Sequence, residues 1–132
     1  MKITADTNVL LRAVVGDDEA QLQVAIRTLE SAELVAISTH CLCEFVWVLD
    51  RGYKTARSDV ASVISHILEM HNVVVNRPAV EAGLRVLEAG GDFADGVIAY
   101  DGNWLGGETF VSFDKRAVAL MRQQGKRTRL LA

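Results

Sequence analysis

Residues 2–12 read KITADTNVLLR, and this stretch decides the fold. Lys2–Ala5 is a short apolar-leaning strand candidate, Thr7–Val15 begins as a helix, and Asp6 falls at the junction. The same strand-then-helix alternation recurs along the chain. Asp18-x-x-Gln21 resembles a capping box, followed by Leu22, Ile26 and Leu29 on one helical face. Leu34–Ile37 reads as a buried strand and Thr39–Arg51 as a helix that is apolar almost all round. Val60, Val63, Ile64, Ile67 and Leu68 mark an amphipathic helix, and Val73–Val75 a third strand. Pro78 suits the first position of a helix carrying Val80, Leu84 and Leu87 and ending at Gly90–Gly91. Asp92 caps a helix over Phe93–Asp101, Thr109–Phe113 is a fourth strand, Lys115–Gln124 a helix closed by Gly125, and Arg127–Leu131 a weak fifth strand. Nearly all-apolar strands alternating with helices predict a parallel sheet covered on both faces. The expected fold is a three-layer α/β/α sandwich with a short parallel sheet, formed by residues 1–132 as one domain.

Four acids stand out against this pattern: Asp6, Glu44 in HCLCEFVWVL, Asp95 in DFADGVIAY and Asp114 in TFVSFDKRA. Each lies at a strand end or in an apolar helical stretch, where a carboxylate is costly without compensation. Open parallel sheets bind ligands beyond the carboxyl ends of their strands, and all four positions face that edge. Crowded carboxylates repel, so protons or cations must enter. Oxygen-only ligands point to Mg²⁺ or Mn²⁺, and therefore to an enzyme acting on phosphates.

Each acid has a plainer role to set against this one. Asp6 and Asp114 are in place to cap the helices that follow them, and Asp95 to favour a helix N-terminus. Glu44 would be a surface glutamate on a buried helix. Asp92 is read first as an N-cap and second as an outer-shell acid. Thr7, Asn8 and Ser112 adjoin the acids and are candidates to orient a carboxylate or hold a water. His40, His66 and His71 are too dispersed for a zinc site. Trp47 is read as core, whereas Trp104, in the glycine-rich GNWLGG, is read as exposed, to stack on a base or pack a loop.

Composition bounds the rest. A chain of 132 residues with 50% hydrophobic residues and a single proline buries a core of its own and is not disordered. No apolar run approaches a membrane span, and the strand pattern starts at once with no signal peptide, so the expected location is cytoplasmic. Cys41 and Cys43, two positions apart, form neither a disulfide framework nor a thiolate metal site. The net charge of −3 argues against a nucleic-acid binder. If a cation neutralises four of the 17 acids, however, the remainder nearly balances the 14 basic residues. Local basic clusters at Arg51, Lys54 and Arg57, at Lys115 and Arg116, and at Lys126, Arg127 and Arg129 are then candidates for a phosphate backbone.

The opening ADTNVLLR, the lone Glu44 in an apolar helix, DFADGVIAY and VSFDKRA resemble the PIN domain in order and spacing across essentially the whole chain. More narrowly, they resemble the VapC-type toxin ribonucleases of toxin–antitoxin pairs. The resemblance implies that Asp6, Glu44, Asp95 and Asp114 are both catalytic and metal-holding, and that Ser112 is the hydroxyl before the last acid. It further implies Mg²⁺- or Mn²⁺-dependent endoribonuclease activity on RNA, a homodimer, and silencing by a cognate antitoxin protein. Tyr100 departs from the pattern, standing where many relatives have a small residue, and should affect packing more than chemistry. The antitoxin is expected on a groove formed by Phe45, Val46, Trp47 and Val48 with the Val60–Leu68 helix. One competing reading is a non-catalytic PIN-like subunit that regulates DNA binding in a heteromeric complex, against which the intact acid set speaks. Another is a phosphoacceptor receiver domain, which needs paired acids after its first strand and a lysine ending its last. Neither feature is present.

Overall fold

The computed structural model describes all 132 residues, Met1–Ala132. It is an α/β structure of seven helices and short parallel sheets, and it divides into two compact units, Met1–Arg77 and Pro78–Ala132.

The first unit runs β1 (Lys2–Thr4), α1 (Thr7–Val15), α2 (Glu19–Ser31), β2 (Leu34–Ala36), α3 (Thr39–Arg51), α4 (Arg57–Glu69) and β3 (Val73–Val74). The strands form a parallel sheet in the order β1-β2-β3, with Ile3 opposite Val35 and Val35 opposite Val73. Parallel strands must be joined by crossovers, and the helical segments between them serve that purpose. The core is Val35, Leu42, Phe45, Leu49, Val60 and Ile64, all sequestered from solvent. Side-chain caps set most of the helix starts: Asp6 begins α1, Asp18 α2 and Ser38 α3. Asn72 is the one buried polar residue. Its amide donates to Leu29 O at 2.8 Å and Ala32 O at 3.0 Å, satisfying carbonyls that the end of α2 leaves open.

The second unit contains α5 (Arg77–Glu88) from its second residue onward, then α6 (Phe93–Trp104), β4 (Phe110–Ser112), α7 (Lys115–Gln123) and β5 (Thr128–Leu130). β4 and β5 pair in parallel, Phe110 with Thr128 and Ser112 with Leu130. Val80, Val86, Phe93, Val118 and Met121 form its core. The Phe93 ring lies over Gly83, where an added Cβ would come within 2.8 Å of it. Gly96 of α6 rests directly on the backbone of Ala82 and Gly83. Glycine at both contacts lets α6 press close against α5.

Several expectations are corrected. The five strands form two sheets, of three and two strands, and each strand is two or three residues long, so the ends called from sequence overrun. α6 continues to Trp104 instead of stopping at Asp101. Coverage on both faces holds for Val35 of β2 but not for β4, whose Val111 is 48% exposed. α3 is not buried all round. It buries Cys41, Leu42, Phe45, Val46 and Leu49, a single stripe at helical spacing, and leaves Trp47 60% exposed on the opposite face. Counting apolar residues without assigning them to a face misplaced this tryptophan. The same stripe removes Phe45 and Val46 from any docking groove, because both are core.

Candidate active site

In the first unit, the turn from β1 into α1 and the start of α3 are tied together. Asp6 caps α1, its Oδ1 accepting from Val9 N at 3.1 Å. The next residue, Thr7, donates its hydroxyl to Cys41 Sγ, and the Cys41 thiol donates to Ala5 O, each at 3.7 Å. Glu44 lies one helical turn beyond Cys41, exposed on the outward side of α3 beside Trp47. Burial pushes the Cys41 thiol up. The Thr7 hydrogen bond opposes that shift, and the negative charges of Asp6 and Glu44 reinforce it. Cys41 is therefore a protonated structural thiol, and Asp6 and Glu44 both lie within electrostatic reach of it.

The second unit gathers the other acids. Asp92 caps α6, its Oδ1 accepting from Ala94 N at 3.2 Å. Asp95 follows in the first turn of the same helix, half-buried because Gly96 draws that turn onto α5. Asp114 caps α7, its Oδ1 accepting from Arg116 N at 2.9 Å and Ala117 N at 3.1 Å. The Asp114 N–H itself donates to Ser112 Oγ at 2.9 Å, which leaves the Ser112 hydroxyl hydrogen free to donate outward. Burial raises the Asp95 carboxyl, and the charges of Asp92 and Asp114 raise it further. The Asp95 carboxyl is thus made harder to ionise by burial and by the charges of two acidic neighbours.

The sequence reading placed the acids in apolar surroundings, which holds only for Asp95. Asp6, Glu44, Asp92 and Asp114 are exposed. The plain capping roles weighed for Asp6, Asp92 and Asp114 are realised. Capping does not exclude chemistry, because each cap hydrogen bond engages Oδ1 and leaves Oδ2 to act. Among the polar neighbours, Ser112 braces Asp114, and Thr7 is committed to Cys41. Asn8 lines a crevice between α1 and α2 with Arg12 and Gln21. Lys115 and Arg116, exposed, occupy the first turn of α7, where the helix dipole disfavours cations. The sequence reading missed the Thr7–Cys41–Ala5 tie, because sulfur hydrogen bonds leave no mark on residue patterning.

The PIN domain family model matches residues 3–122. The chain belongs to the PIN domain family. No curated protein matches it. PIN domains are typically nucleases that act on RNA or DNA and generally use divalent metals, so the chain's activity is of the hydrolase kind. The donor set suits such a metal. In neither unit do three or more His, Cys, Asp or Glu side chains close into a cage. A small hard cation that keeps several waters and takes one or two carboxylates needs none. A cation beside Asp95 would oppose the upward shift that burial and its acidic neighbours impose on its carboxyl. No helix is long and apolar enough to cross a membrane.

Proposed function

We propose that this PIN domain is a Mg²⁺- or Mn²⁺-dependent endoribonuclease and the toxin of a toxin–antitoxin pair. The observation that carries the reading is Asp95, half-buried in the first turn of α6 and raised by burial and by the nearby charges of Asp92 and Asp114. Asp6, Asp95 and Asp114 are assigned as the carboxylates that hold the cation, directly or through its waters, and Glu44 as a further ligand or the group that orients the attacking water. A divalent cation supplies charge for the developing phosphate anion and lowers the pKa of water toward neutrality.

The chain's own residues do the positioning. Backbone N–H groups at the starts of α1 and α7 fix one oxygen each of Asp6 and Asp114 and so aim the other. Ser112 holds the Asp114 backbone in place. Lys115 and Arg116, set where the helix itself gains nothing from them, are assigned to the phosphate backbone. In-line attack leaves a 3′-hydroxyl and a 5′-phosphate. Single-stranded or loop RNA is the expected substrate, because a duplex hides its base edges.

Such a nuclease would damage its own cell, so a protein antitoxin and a homodimeric toxin are part of the reading. The first unit offers an apolar cleft of about 560 Å³ among α1, α2, α4 and β2, with Leu10, Val14, Ile26, Val63 and Ile67 along its walls. This surface suits a partner helix better than the α3 face does. The test is expression of the wild type alone, of Asp6→Asn, and of the wild type with the neighbouring small gene, with new RNA 5′ ends mapped in each. Growth arrest and new 5′ ends only with unpartnered wild type, and co-purification with the small protein, are expected. Harmless expression of folded wild type overturns the toxin role.

A further inference from the structure

The second unit carries an exposed aromatic side chain and a cleft that the hydrolytic assignment leaves unused. α6 ends at Trp104, and the turn after it folds back so that Gly107 N donates to Gly102 O at 2.8 Å. Trp104 stands on this turn 75% exposed. Its indole Nε1–H donates to the Tyr100 hydroxyl at 2.6 Å, one helical turn back. The ring is therefore oriented in advance, while most of its apolar surface remains in water. Exposing so large a side chain forgoes the burial that usually stabilises a tryptophan. The Tyr100 hydroxyl that holds it stands where a small residue was expected.

Beside the turn lies a cleft of about 760 Å³ in the same unit, lined by Ile98, Asn103, Thr109, Val111, Lys126 and Arg127 among others. Gly102, on its lining, leaves it open, since a Cβ there would meet nothing within 4 Å. From Lys115 to the C-terminus the chain carries Lys115, Arg116, Arg122, Lys126, Arg127 and Arg129 and not a single acid. Arg127 does face Glu108 at 3.8 Å, but both groups are exposed and such a pair exchanges readily for a phosphate.

We infer that Trp104 and this cleft form a stacking subsite for unpaired nucleotides of the substrate strand. One base lies on the indole, and Lys126 and Arg127 contact the adjoining phosphates. An aromatic platform beside a cationic groove holds single strands with little regard to sequence, because every base has a π face. The inference rests on the ribonuclease reading, to which it adds a binding element. The charged groups on the cleft lining are Lys126 and Arg127 against the single acid Glu108, a net positive balance that, with the basic segment from Lys115 onward, favours nucleic acid over a protein partner as the occupant.

The test uses an unstructured oligouridylate in EDTA, so that binding is read without cleavage. In a Trp47→Phe variant, Trp104 is the sole tryptophan, and its emission should be quenched saturably by the oligonucleotide. With a labelled oligonucleotide, Trp104→Ala should weaken binding by about 5- to 150-fold, and Trp104→Phe by much less. Lys126→Glu with Arg127→Glu should weaken it and flatten its salt dependence. Unchanged Trp104 emission, or unchanged affinity in Trp104→Ala, overturns the inference. So does a Trp104 emission shift that follows protein concentration alone and tracks self-association, which would assign the patch to a protein interface. Binding that depends on Trp104 without cleavage by any variant upholds the subsite and overturns the hydrolytic reading. Cleavage by wild type with no response at Trp104 does the reverse.

Discussion

Asp114 has two jobs in this account, and substitution can separate them. As the N-cap of α7 it satisfies the N–H groups of Arg116 and Ala117 through one oxygen. Alanine removes both bonds, which costs about 1 kcal/mol and up to about 2 kcal/mol for a well-formed cap. For a chain of this size that is a melting temperature lower by roughly 3–5 °C per kcal/mol. Asparagine caps as well as aspartate does, so Asp114→Asn should melt within about 1 °C of wild type. The carboxylate charge is lost in both variants. Thermal unfolding by circular dichroism, paired with cleavage of a labelled RNA, should therefore find Asp114→Ala destabilised and inactive and Asp114→Asn stable and inactive. An Asp114→Asn enzyme that cleaves at the wild-type rate would make Asp114 a cap and nothing more.

Asp95 links stability to pH. Its folded pKa lies above the ordinary 3.8, so its contribution is fully present below that value and is lost as pH rises through the folded pKa. Asp95→Asn, measured without divalent cation, should be more stable than wild type at neutral pH, with the gap closing on acidification. A constant gap across that range would contradict the assigned cause. Gly96→Ala should reverse the usual helix rule. Alanine gains about 1 kcal/mol in a helix interior, but here its methyl would run into the Ala82 carbonyl, and overpacking of about 1–3 kcal/mol should prevail in urea unfolding. Lys115→Glu with Arg116→Glu should stabilise α7 slightly, by about 0.3–1 kcal/mol per charge, while weakening RNA binding on every sequence and flattening its salt slope. Unchanged binding would remove both from the phosphate contacts.

The alternation of strand and helix was legible because helical spacing and short apolar runs are local signals. Strand pairing was not, since nothing in strands of two or three residues says whether β4 joins β1 or only β5. KITADTNVLLR placed Asp6 correctly at its junction, and Asp92 was correctly read as a cap. The environment of the acids was harder to read. Neighbouring letters such as Ala5, Leu10 and Leu11 are buried, while the cap itself faces solvent. Asp95 alone is half-buried, and the reason lies in Gly96 and Gly83, whose contact spans two helices. Trp47 was misplaced for a related cause, since α3 buries a stripe instead of its whole circumference. The Trp104–Tyr100 bond was half visible, as an exposed tryptophan and an unexpected tyrosine whose spacing, i and i+4, went unused.

The central claim is that carboxylates of this PIN domain hold a cation for RNA hydrolysis. Its most direct test is cleavage of an end-labelled, unstructured RNA by purified wild type and Asp95→Asn, in Mg²⁺ or Mn²⁺ and in EDTA. The account predicts cleavage by wild type with either cation, arrest in EDTA, recovery when cation is restored, and no cleavage by a folded Asp95→Asn. Undiminished cleavage in EDTA, or full activity of Asp95→Asn, would contradict it.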